Sequence, residues 1–333
     1  MVSGAAVEDR VAVVGLGLVG GSLARLLAAR GVDVVATDVS PATRAAARRA
    51  GLSVADDLAA CVAGAGLVVL ATPLRVMATV AREVAEHAPA SATVTDVGSV
   101  KGPVRAAVVA AGLAGRYVGA HPMSGTEHSG FDASDAGLLD GVRWAVTVDG
   151  EVEPDRLAAV LGLVTGPCAG TAALLLDEVH DEAAALISHV PHVLATQLLN
   201  AVGGAPVRDV ALGLAAGSFR DGTRVAFTDP ARTEAMVAQN AAWVAPALRK
   251  VVRDLDLVIE SLESNGSAHE FFHAADEVRA GGPPGPPAVD HDATVEQVPR
   301  SPGWPATLVE RCTAGAVVVG IGTTHVDVTS PRR

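Results

Sequence analysis

Residues 11–38 read VAVVGLGLVGGSLARLLAARGVDVVATD. An apolar, strand-like run is followed by Gly15, Gly17 and Gly20 in the pattern GxGxxG, then by an amphipathic helical stretch and a second apolar run, VDVVAT. Glycines at these positions permit a tight strand-to-helix turn and let a pyrophosphate reach backbone N–H groups at the helix N-terminus. Asp38 closes the second run 18 residues after Gly20, where a carboxylate accepts hydrogen bonds from a ribose 2′-OH and repels a 2′-phosphate. The stretch therefore predicts a βαβ unit that holds NAD in preference to NADP. Gly15, Gly17, Leu18, Gly20 and Asp38 are candidate cofactor contacts, joined by Thr72 and Pro73 at the end of the next apolar run, LVVLAT.

Further out, LVVLAT (67–72), TVTDV (93–97), YVGA (117–120) and WAVTV (144–148) continue the strand-like series, most of them separated by amphipathic stretches. That alternation predicts an α/β fold in which residues 8–150 form a Rossmann domain, a parallel sheet with helices on both faces. From about residue 154 long helical patterns take over, notably 177–202 and 233–263, so 151–279 is expected to be a mostly α-helical second domain. AGGPPGPPAVD (280–290) is too rich in proline and glycine for helix or strand, and 280–303 reads as a linker. Residues 304–333 are expected to be a short C-terminal appendage with one helix and two short strands.

Composition removes several classes of function. The 25 Lys and Arg against 37 Asp and Glu leave a formal charge of −12, which opposes binding to a nucleic-acid backbone or an anionic membrane surface. The uncharged run 157–176 is long enough to span a bilayer, but Gly162, Gly166, Pro167 and Gly170 interrupt it and favour a helix, a turn and a strand in a water-soluble core. The first ten residues lack the basic-then-apolar order of a secretory leader, and Cys61, Cys168 and Cys312 are widely spaced with no CxxC pair. A reduced, cytoplasmic protein is expected, with no metal site.

Two stretches carry chemistry. TDVGSVKGPV (95–104) and GAHPMSGTEHSG (119–130) each follow a predicted strand, and in an open parallel sheet the carboxyl ends of the strands line the ligand crevice. Ser99 and His121 are thereby placed beside a nicotinamide. Hydride leaves a carbinol carbon only as its hydroxyl gives up a proton, which requires a base within hydrogen-bond reach, and histidine titrates in the useful range. Ser99 is suited to orient the imidazole or the hydroxyl, and equally to cap the helix that follows. His128, farther out in the loop, is expected to have no catalytic part.

The motifs GLGLVGGS (15–22), TDVGSVKG (95–102), GAHPMSGTE (119–127), HDEAAALISHVPH (180–192) and DGTRVAFTDP (221–230), in this order, resemble the prephenate/arogenate dehydrogenase family of tyrosine biosynthesis. The resemblance spans roughly residues 10–275 and implies a Rossmann domain followed by a helical domain that binds substrate and forms a homodimer. It implies NAD-dependent oxidative decarboxylation, with His121 deprotonating a 4-hydroxyl and Ser99 supporting it. His189, His192 and Arg224, with Arg220 as a further candidate, would hold the anionic substrate from the helical domain. The residues themselves agree with such a role: His189 and His192 lie three apart on a helix, and an arginine offers carboxylate a bidentate fork.

Alternatives remain open at this point. Prephenate, arogenate and a 4-amino analogue differ in groups the sequence does not address, and Asp181 could pair with a substrate ammonium, lie exposed or cap a helix. A β-hydroxyacid-type dehydrogenase would typically use a lysine base in its helical domain, where Lys250 is the one lysine present and sits in an amphipathic pattern. A non-catalytic NAD-sensing protein would keep the glycine loop without needing His121. The residues after the linker are too few for a complete regulatory ACT domain.

Overall fold

A computed structural model describes residues 10–126, 128–149, 152–282 and 294–329. The first five strands are β1 (Val11–Val14), β2 (Val34–Thr37), β3 (Leu67–Leu70), β4 (Thr93–Asp96) and β5 (Tyr117–Pro122), mutually parallel in the order β2-β1-β3-β4-β5. Helices α1 (Leu18–Ala29), α2 (Pro41–Arg49), α3 (Leu58–Val62), α4 (Met77–His87) and α5 (Gly102–Ala110) connect them. Residues of one strand alternate between two cores: Val11 and Val13 face one, Ala12 and Val14 the other, and Leu67/Val69 and Val68/Leu70 divide in the same way. Burial on both faces is why these strands read as unbroken apolar runs. The chain passes from β1 to β2 on one side and from β2 back across β1 to β3 on the other, so the topological switch lies between β1 and β3, where a doubly wound sheet opens its ligand crevice.

The sheet then departs from the all-parallel expectation. β6 (Arg143–Thr147) pairs antiparallel with β5, because among the described residues two short 3₁₀ turns, Phe131–Ala133 and Ala136–Leu138, and no crossover helix lie between them. Helix α6 (Pro154–Thr165) and strand β7 (Thr171–Leu175) follow, the helix, turn and strand expected of the uncharged run, with β7 parallel to β6.

The remaining helices are α7 (Asp177–Ala184), α8 (Val190–Gly203), α9 (Arg208–Gly213), α10 (Gly217–Thr223), α11 (Pro230–Gln239), α12 (Ala241–Glu263), α13 (His269–His273) and α14 (Asp276–Ala280). The chain divides into two compact units: Met1–Asp181 with Phe227–Gln239 and Ala293–Arg333, and Glu182–Ala226 with Asn240–Asp292. This differs from boundaries at 150/151 and 279/280. Strand β7 continues the first unit's sheet, and Leu157, Val160, Leu161 and Leu163 of α6 enter its main core, which draws the segment after 151 into that unit.

The C-terminal segment is likewise no appendage. Strand β8 (Val295–Pro299) lies inside the expected linker, and with α15 (Trp304–Thr313), β9 (Val317–Ile321) and β10 (His325–Thr329) it extends one sheet to ten strands, ending β7-β9-β10-β8. Trp304, Leu308, Val318 and Val326 join the core that contains Leu23 of α1 and Leu161 of α6, which removes their apolar surface from water. Residues 283–293 of the proline-rich stretch lie outside the described residues. No helix among the described residues is long and apolar enough to cross a membrane.

Candidate active site

The crevice between β1 and β3 begins with Gly15, whose φ of +107° suits glycine, and a Cβ there would lie 2.4 Å from the Ala71 carbonyl oxygen. Gly20 is as tight, with a Cβ position 2.1 Å from the Gly15 oxygen. Gly17 differs: nothing lies within 4 Å of its Cβ position, and as N-cap of α1 it contributes no side chain to the helix's first N–H groups. Two glycines thus lock the turn while the third leaves a bare N-terminus, the arrangement an anionic pyrophosphate requires. The Thr72 methyl carbon sits beside Gly15, 3.1 Å from its Cβ position, and Pro73 is exposed next to it.

Asp38, following β2, accepts the Leu16 N–H at 2.8 Å and the Ser40 N–H at 2.9 Å, so its carboxylate braces the glycine loop as well as standing where a ribose would bind. Arg44 is turned to the backbone and donates to the Asp38 carbonyl at 2.6 Å. The donor set fits a dinucleotide: an open helix N-terminus for phosphates and a carboxylate for the ribose.

At the carboxyl end of β5 the half-buried His121 places Nδ1 2.9 Å from Nε2 of His180, and His180 Nδ1 lies 2.8 Å from Asp181 Oδ1. His180 and Asp181 are buried, at 2% and 4% exposure. Asp181 also accepts the Lys101 N–H at 2.7 Å and the Gly102 N–H at 2.9 Å, closing the N-terminus of α5. Burial raises the Asp181 pKa, but the His180 ring N–H and the two backbone donors outweigh it, holding the carboxyl below its ordinary range. That carboxylate sets the role of His180 Nδ1. It accepts, so His180 Nδ1 donates; in the tautomer in which His180 Nε2 accepts, His121 donates from Nδ1. The chain Asp181, His180, His121 links the His121 ring to a buried carboxylate.

Asp181 is thus a capping acid and not an exposed one, and it, not Ser99, closes the N-terminus of α5. Ser99 is half-buried in the turn between β4 and α5, whose N-cap is Lys101. His128 is exposed, while Arg232 of α11 donates to the carbonyls of Thr126 at 3.2 Å and His128 at 3.4 Å, tethering the loop after β5. Glu127 of the motif lies outside the described residues.

In the helical unit, the segment between α7 and α8 closes as one π turn, Ala185–His189. Pro191, which has no N–H to give a regular helix, follows at once. His189 is buried, its Nδ1 2.9 Å from Asn240 Nδ2, whereas half-buried His192 donates from Nδ1 to the Ser188 carbonyl at 2.8 Å. The spacing of three thus does not give the two rings one environment. Arg220 and Arg224 are exposed, and neither makes an ion pair among the described residues, with Asp221 and Asp229 included. His180, Lys101 and Asn240 escape the sequence reading; the adjacent His-Asp pair at 180–181 is the one local signal that could have pointed to the first.

Glycine loop, switch-point crevice and an oriented histidine at a strand end define a two-unit, nucleotide-binding oxidoreductase. Residues 23–171 match the family model described as the nucleotide-binding domain of prephenate dehydrogenase, and 177–275 the one for its dimerization domain. The cyclohexadienyl dehydrogenase of Zymomonas mobilis is 33% identical over 280 residues, covering 82% of this chain and 95% of that one. Among solved structures, a Corynebacterium glutamicum protein assigned as a prephenate dehydrogenase superimposes with a TM-score of 0.81 at 32% identity, covering 92% of this chain and 98% of that one. The Aquifex aeolicus prephenate dehydrogenase, solved with hydroxyphenyl propionate and NAD+, gives 0.74 at 26% identity, over 82% of this chain and 96% of that one. The chain belongs to the prephenate/arogenate dehydrogenase family.

Proposed function

We propose that the protein catalyses the NAD+-dependent oxidative decarboxylation of prephenate to 4-hydroxyphenylpyruvate in tyrosine biosynthesis. The observation that carries this reading is the Asp181, His180, His121 chain of hydrogen bonds at the carboxyl edge of the sheet. Family membership and the ligands of the Aquifex aeolicus protein support it.

Gly15, Gly17, Leu18, Gly20, Asp38, Thr72 and Pro73 would hold NAD+, which when bound supplies the hydride acceptor. His121 Nε2 takes the proton of the substrate 4-hydroxyl as hydride leaves the same carbon. His180 Nε2, accepting from His121 Nδ1, stabilises the imidazolium that forms, with the Asp181 charge behind it. The bond to the ring carboxylate then breaks, CO2 departs, and the electron pair aromatises the ring. His121 returns its proton to the oxygen, giving the phenol with no net proton change. Ser99 supports the hydroxyl, and His189, His192, Arg220 and Arg224 bind the substrate's anionic groups.

The active species is a homodimer formed through the helical unit, whose α12 exposes Val252, Leu255, Leu257, Ile259 and Leu262. A cytoplasmic setting suits the three buried free thiols, two of which, Cys61 and Cys168, burial pushes up to about 12. Arogenate is the second candidate substrate, differing in an alanyl side chain. Incubation with NAD+ and prephenate is expected to yield NADH and CO2 in equal amounts, with arogenate slower. Turnover of arogenate alone would reassign the substrate, and NADH from neither would refute the function.

A further inference from the structure

Strand β5 pairs with β4 only at Val94↔Tyr117 and Thr95↔Val118, then parts from it while still paired with β6 through Pro122. That divergence leaves the amide of Ala120, the residue before His121, without a strand on the β4 side. An ion pair takes the strand's place. Asp96 Oδ1 accepts the Ala120 N–H at 3.3 Å, and Lys101 Nζ donates to the Ala120 carbonyl at 2.7 Å and to Asp96 Oδ2. Tyr117 Oη adds a hydrogen bond to Asp96 Oδ1 at 2.8 Å, and Gly98 N–H one to Oδ2 at 2.8 Å. Asp96 and Lys101 are both 0% exposed.

A buried ion pair is poor value as a source of stability, since apolar side chains of similar volume usually serve as well or better. Burial also pulls the Lys101 pKa down, against the Asp96 charge that opposes the shift. What an apolar pair could not do is satisfy the donor and the acceptor of a strand residue at once. The same turn reaches His121 from the other side, because the Lys101 backbone N–H holds Asp181, which orients His180 and through it the His121 ring.

We propose that Lys101, with Asp96, is the positioning residue of the reaction, fixing both the main chain and the ring of His121 to the single turn between β4 and α5. This rests on His121 being the base. Lys101→Met leaves Asp96 buried and unpaired, so the informative variant is Lys101→Met with Asp96→Asn, which keeps an acceptor for Ala120 N–H and leaves no unpaired charge. Single-turnover NADH formation from prephenate reads the step without interference from product release. The double variant is expected to melt near the parent and to keep its KM for NAD+ and prephenate within about two-fold, while the single-turnover rate falls about 10- to 100-fold, the scale of a misplaced catalytic group. Tyr117→Phe, which removes one hydrogen bond from Asp96 with little change of shape, is expected to slow the step by about 2- to 10-fold and covers the case of a double variant that fails to fold. A parental single-turnover rate in the folded variants overturns the proposal. His121→Asn measured beside them separates the two failures: if it is slow while they are fast, only the positioning role falls; if it too is fast, the base assignment falls with it.

Discussion

His180 ties the ring of His121, at the end of β5, to a buried carboxylate, and only the adjacent His-Asp pair at 180–181 hints at it in the sequence. Its partner Asp181 sits next to it among helical residues, and while the ring Asp181 holds is its neighbour's, the α5 N-terminus it closes comes from residues 79 and 80 positions away. His121 stood out as a candidate because a strand end followed by a glycine-rich loop is a local pattern; the links from His180 to His121 and from the Lys101 N–H to Asp181 did not, because they join residues 59 and 80 positions apart. Asp181→Asn is expected to slow turnover and, by leaving buried donors badly matched, to cost roughly 1–3 kcal/mol of stability at neutral pH. The Asp181 carboxyl lies below its ordinary value of 3.8 in the folded state, so its contribution is complete above 3.8 and is lost as pH falls through the folded pKa. Melting temperatures of parent and variant should therefore converge below pH 3.8; a gap that is constant with pH would deny Asp181 this role. Arg224, exposed and without an ion pair among the described residues, is expected on replacement by alanine to raise KM for prephenate by about 10-fold or more, as for a lost hydrogen bond to a charged group. Arg224→Lys should recover part of that loss; an unchanged KM in folded Arg224→Ala removes it from the site.

Element by element, the βαβ unit was the most legible part, since GxGxxG imposes itself through backbone contacts that need no partner beyond β3. The three glycines divide by cause. Gly20→Ala would drive a Cβ to 2.1 Å from the Gly15 oxygen and is expected to prevent stable folding. Gly17→Ala meets open space at a φ of −72°, so its melting temperature should stay near the parent's. The new methyl would instead stand where phosphate must approach, raising KM for NAD+ by about 10-fold or more, roughly the loss of one charge-assisted hydrogen bond. Equal effects of both substitutions on stability would show that Gly17 serves packing. Asp38→Ser should narrow the preference for NAD over NADP and also weaken NAD binding, because the same carboxylate braces Leu16 and Ser40. The direction of β6 was not legible: a strand's sequence does not state its sense, which is decided here by the lack of a crossover helix among the described residues.

At the scale of the whole molecule, the order of an α/β half and a helical half was readable from the change of periodicity, whereas the return of the chain to the first sheet after residue 293 was not. A proline-rich stretch marks a break in regular structure but not where the chain goes next. Trp304→Ala, which empties a fully engaged core position in α15, is expected to destabilise the first unit by roughly 3–5 kcal/mol, as read from denaturant unfolding. A loss near zero would mean that residues 294–329 are separable from that core. The account of function, by contrast, converges on one imidazole. The rate of NADH formation by His121→Asn at saturating NAD+ and prephenate tests it most directly: the account predicts a fall of on the order of 10²–10⁴-fold with NAD+ affinity preserved, and a near-parental rate would contradict it.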